Sequence, residues 1–150
     1  MSTENVSAIP CLDTLRTCDG PRLARIAWCL GLAPTMTALT NDGLYNVLHA
    51  CSWKPHVNLA QADTMLRMLR ERGWCTQLYW DAFLEKQGFV QMSRYDHAAN
   101  DYPEIEVETS FGKGCTDDES TAILRCAVLA VATERQQHKE PPLHTDTTEA

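Results

Sequence analysis

A chain of 150 residues, 44% hydrophobic and 22% charged, is long enough to bury one core without disulfides or metals and too apolar to remain unfolded. Its formal charge of −7 argues against a nucleic-acid backbone as the main partner, because phosphate binding needs clustered Lys and Arg. No run approaches the roughly 18 apolar residues of a membrane span, and Met1 to Pro10 lacks the pattern of a signal peptide, so a cytoplasmic protein without membrane attachment is expected.

Along the chain, Asp19-Gly20-Pro21 opens a helix with a capping carboxylate and an early proline. Leu23, Ile26, Ala27 and Leu30 mark its apolar face, and Gly31 ends it. The spacing of Leu44, Val47, Leu48 and Cys51 predicts a second short helix from about Asp42 to Cys51. Lys54-Pro55 then breaks the pattern, since the residue before a proline is pushed out of the helical region. Asn58 caps the next helix, with Leu59, Ala62, Leu66 and Leu69 on one side and Gly73 as its stop.

From Trp74 the period changes to two. Trp74, Thr76, Leu78 and Trp80 alternate with Cys75, Gln77 and Tyr79, and two further strands follow over Phe89 to Tyr95 and Glu104 to Ser110. In the last of these, Ile105 and Val107 alternate with Glu104, Glu106 and Glu108, so one face is buried and the other charged. Asp117-Asp118-Glu119-Ser120 opens a final, mostly apolar helix from Thr121 to about Gln137. The expected fold class is therefore α+β: helix, three-stranded antiparallel meander, helix, preceded by a short helical N-terminal region. Residues 1–51 form that region, 52–138 the sandwich, and 139–150 a tail with too little to bury, expected to be disordered.

This order of elements resembles the phage ABA-sandwich family, small proteins encoded by phages and prophages. The resemblance is carried by Trp53-Lys54-Pro55, Asn58 and Ala60-Gln61-Ala62, by Leu69-Arg70-Glu71-Arg72-Gly73, and by Asp118-Glu119-Ser120 leading into Ala122-Ile123-Leu124-Arg125-Cys126-Ala127. It covers a little over half the chain. These positions are caps, turns and core residues, so the resemblance implies a fold and a phage setting and transfers no active site.

Chemistry-bearing clusters are sparse. Seven cysteines, an odd number without a C-x-x-C pair, point to reduced thiols in a cytosol. His49, Cys51 and His56, with Cys75 as a fourth group, match no zinc-binding spacing, so no metal and no cofactor is expected. His97 with Asp96 has nothing in sequence to bring it to Cys75 or Cys115, and Gly112-Lys113-Gly114-Cys115-Thr116 lacks the full phosphate-loop pattern. A binding protein is expected rather than an enzyme.

Charge is the more informative signal. Between Tyr95 and Ser120 stand eight acids against Lys113 alone, while the rest of the chain is balanced, so this segment holds the whole net charge. Carboxylates two residues apart on a strand stand about 7 Å from each other, comparable to successive phosphates, and such a row competes for a basic groove. The same row equally serves to protect an edge strand from aggregation. The expected partner surface comprises Asp101, Glu104, Glu106, Glu108, Asp117 and Asp118, with Trp53 as an exposed aromatic anchor at the connector.

With the phage setting implied by the resemblance, the expected function is inhibition of a host defence component. The leading example is a CRISPR effector complex, whose nucleic-acid channels are basic. The alternatives are an enzyme or sponge acting on a small nucleotide signal through Asp81 to Tyr102, and a phage packaging or regulatory accessory.

Overall fold

The structure, a computed structural model, describes residues 10–33, 53–81, 87–95 and 103–149. The described residues form α1 (Leu12–Thr17), α2 (Gly20–Cys29), α3 (Leu59–Glu71), β1 (Cys75–Asp81), β2 (Gln87–Tyr95), β3 (Pro103–Gly112) and α4 (Glu119–Glu149). The fold is α+β, and the sheet is an antiparallel meander in the order β1-β2-β3. The helix expected from Asp42 to Cys51 lies outside the described residues.

Capping fixes the helix ends. The Asp19 carboxylate accepts the Arg22 N–H at 3.0 Å, and the Asn58 side chain accepts that of Gln61 at 3.1 Å. At the far end of α3, Gly73 takes a φ of 99°, which lets Gly73 N–H reach the Arg70 carbonyl and Trp74 N–H the Leu69 carbonyl. This paired closure turns the chain directly into β1. Two arginines serve α2 in the same way: Arg72 donates to the Gly31 carbonyl and Arg135 to that of Leu30. Helix α3 buries Gln61, Ala62, Met65, Leu66 and Leu69. Leu59, expected on the buried face, is exposed at the first turn, and Gln61 takes an inward position because its side-chain oxygen accepts the Lys54 N–H at 2.7 Å.

Helix α4 organises the molecule. Every residue from Ala122 to Ala132 is buried, because the sheet packs against the helix through β2 and β3 while α1, α2 and α3 pack against it as well. Leu15, Leu23, Ala24 and Ala27 from the N-terminal helices share one core cluster with Val90, Met92, Ile105, Phe111 and the apolar residues of α4. The described part of the 1–51 region is thus built into the same core as the sandwich. Helix α4 also runs to Glu149, well past the end expected near Gln137. Residues Glu134 to Gln137 are good helix formers, and the backbone continues helical across Pro141 and Pro142 even though neither brings an N–H to the ladder.

The described cysteines Cys11, Cys18, Cys29, Cys75, Cys115 and Cys126 are all free thiols. Cys126 is enclosed between α4 and the sheet, and burial pushes its thiol up to about 12. Exposed Cys11 is the opposite case, its thiol held below the ordinary range by its hydrogen bond to the Thr14 side chain. Alkylation of the native protein at neutral pH is expected to modify Cys11 first and Cys29 and Cys75 next. Cys126 should lag by about a hundredfold or more, because both thiolate population and access are low. Peptide mass spectrometry over time checks the order; modification of Cys126 as fast as Cys75 means that the core is open. A mild reductant should leave the melting temperature unchanged.

Candidate functional site

Residue alternation along β3 sends Ile105, Val107 and Phe111 to the side of the sheet that α4 covers and Glu106 and Glu108 to the other. On that open face Glu106 stands opposite Ser93, and Glu108 opposite Gln91. The Gln91 side-chain amide donates to Glu106 at 2.8 Å, and the Tyr79 hydroxyl donates to Glu108 at 2.8 Å. Tyr79 is itself 41% exposed and stacks on Phe89, its direct partner across the β1–β2 ladder, with ring centroids 5.3 Å apart. Glu104 is also exposed, but it sits at a register shift near Arg94 and Tyr95, where the simple alternation that placed it with the other two breaks down.

The other acids of the segment have separate tasks. Asp117 grips Arg125 in a two-point pair, with Nε to Oδ2 at 2.8 Å and Nη2 to Oδ1 at 3.0 Å. The same guanidinium donates from Nη1 to the carbonyls of Leu15 and Cys18, both at 2.9 Å, so it ties α4 to the C-terminal half of α1. The hydrogen bonds to Asp117 hold Arg125 still more firmly in its charged form. Asp118 caps α4 by accepting the Thr121 N–H at 2.9 Å. Asp101 lies outside the described residues. The acidic segment is therefore divided between the open sheet face, carrying Glu106 and Glu108, the irregular start of β3 with exposed Glu104, and a helix start.

Trp53 is not the exposed anchor expected at the connector. It is only 3% exposed, because the bond from Lys54 N–H to Gln61 and the burial of Pro55 draw the connector into the fold. The tryptophans that reach the surface are Trp28, 37% exposed, and Trp80, 55% exposed. The chain matches no family model, no curated protein and no solved structure. What its sites do has to follow from their own chemistry.

A cavity of about 660 Å³ opens between α2 and the connector, lined by Ala24, Arg25 and Trp28 on one side and Trp53, Lys54 and His56 on the other. Two of its lining residues carry buried polar atoms without a hydrogen-bond partner among the described residues, Trp53 Nε1 and His56 Nδ1. A buried donor or acceptor without a partner costs about 1–3 kcal/mol, so two in one place call for an explanation. Burial, with the nearby Lys54 adding to it, lowers the His56 pKa from its ordinary value, against the smaller opposing pull of Asp118 and Asp19. His49 and Cys51, which stand near His56 in sequence, lie outside the described residues, and Cys75 stands exposed on β1. No local motif announces this cavity, since its walls come from two segments that only the tertiary fold brings together.

Proposed function

We propose that the chain is a binding protein that receives a basic protein surface on the open face of its sheet. The observation that carries this reading is the exposure of Glu104, Glu106 and Glu108 on β3 beside the exposed Tyr79 ring, on a sheet whose other face is packed by α4. Carboxylates supply steering and register, and a tyrosine supplies contact area with a polar tip. A phage or prophage setting, and a host defence component such as a CRISPR effector complex as the basic partner, extend this reading on the strength of the resemblance described above.

Replacing Glu104, Glu106 and Glu108 together by Gln tests it. The Gln carbonyls still accept from Gln91 and Tyr79, so folding stability should change by less than about 0.5 kcal/mol. Proteins retained from a bacterial lysate by the immobilised parent in low salt should be lost from the variant. With a purified partner, association should slow by about tenfold and its salt dependence should become shallower. A triple variant that holds the same partner as tightly and as salt-dependently as the parent makes the acidic row ordinary solvated surface, protecting the sheet from edge pairing.

A further inference from the structure

The cavity between α2 and the connector combines three features that bear on a ligand. Its lining is largely apolar, with Pro21, Ala24, Trp28, Trp53 and Val57 among its residues, and its volume of about 660 Å³ lies within the range of small-molecule sites. Two of its lining residues, Trp53 and His56, carry buried atoms without a partner among the described residues: Trp53 Nε1, which can only donate, and His56 Nδ1. Its remaining polar groups are two cations, Arg25 on α2 and Lys54 on the connector, and neither has a carboxylate partner among the described residues.

Two exposed cations in the lining, without carboxylate partners among the described residues, ask for a ligand that is negatively charged. The apolar walls, with half-exposed Trp28 at the surface, ask for a flat hydrocarbon body. We propose that this cavity is a binding site for a small aromatic carboxylate, whose ring lies against Trp28 and whose carboxylate is held between Arg25 and Lys54. The apolar lining disfavours a sugar or an intact nucleotide, whose many polar groups would go unmatched there. A bare inorganic anion would leave most of the volume and the aromatic walls unused. The site belongs to the helical side of the fold, so it stands or falls independently of the sheet face.

Calorimetric titration of the full chain with naphthoate, and in parallel with the uncharged naphthamide, tests the proposal. Naphthoate should bind saturably at one site, and naphthamide at least about tenfold more weakly. Arg25→Gln with Lys54→Gln alters two exposed side chains, so the fold should survive, and naphthoate affinity should fall by at least about tenfold while naphthamide binding is unmoved. Trp28→Ala should weaken both ligands. In proton–nitrogen spectra, the Trp53 indole N–H, assigned through Trp53→Phe, should move on addition of naphthoate to the parent. Equal affinity for the two ligands, or no effect of the double Gln variant in a protein with parental melting temperature, overturns the proposal. Tighter binding of adenosine monophosphate than of naphthoate overturns the carboxylate assignment, and binding of an acidic peptide with refusal of naphthoate overturns the small-molecule one.

Discussion

Arg125→Met is expected to destabilise the protein by about 3–5 kcal/mol, the cost of removing one partner from a buried ion pair. Arg125 is enclosed within the core helix and feeds four acceptors: both oxygens of Asp117 and the carbonyls of Leu15 and Cys18. Methionine fills much of the volume but leaves a largely enclosed carboxylate and two carbonyls without donors. Lysine should rescue little, because an ammonium is a point donor and cannot span a fork of this width. Arg125→Met with Asp117→Leu should recover only part of the loss, since it removes the stranded carboxylate and leaves the two carbonyls. Urea unfolding measures the change, and hydrogen exchange should locate it, with residues 12–18 losing protection first. A single variant within about 1 kcal/mol of the parent would mean that the fork is incidental.

Phe111→Ala should cost a comparable amount, about 3–5 kcal/mol. The ring is fully buried at the end of β3, meets Trp80 edge-on with centroids 4.9 Å apart, and lies over the backbone of Gly88, its direct cross-strand neighbour. Any side chain at position 88 would occupy the place of the ring, so Gly88→Ala probes the same contact from the opposite direction. Overpacking there should cost about 1–3 kcal/mol. Trp80 reports on both changes, because loss of the Phe111 edge leaves its indole in water and shifts its emission to the red. Retained stability in Phe111→Ala, with unchanged Trp80 emission, would show that this end of the sheet is not packed as described.

The elements that could be placed from sequence are those whose signals are local. Asp19, Asn58, Gly73 and Asp118 each act on backbone within a few residues, and all four sit at the helix ends where their chemistry puts them. The change of period after Gly73 likewise marks a real boundary. Helix α1 carries no such local signal: it has six residues, one buried side chain, Leu15, and no side-chain cap. Trp53 was misjudged because the bond that draws the connector inward comes from Gln61, a polar residue whose inward orientation no periodicity reveals. The division of the acids had the same cause. Asp117 and Glu108 look alike in sequence, and only the arrival of Arg125 from the following helix commits one of them to the core. The aromatic cavity is the extreme case, since its two walls belong to separate segments and neither suggests a site alone.

The guanidinium bonds from Arg125 to α1 span 107 and 110 residues of sequence, and the apolar faces of α1 and α2 rest on the same late helix. During synthesis the first helices to leave the ribosome are therefore among the last to acquire their neighbours. Until α4 emerges, Leu15, Leu23 and Ala27 lack the helix that their elements chiefly pack against, and folding must wait for contacts of high sequence separation. A released chain truncated before residue 119 should be held by chaperones and cut readily by proteases, whereas one that ends beyond residue 137 should be resistant.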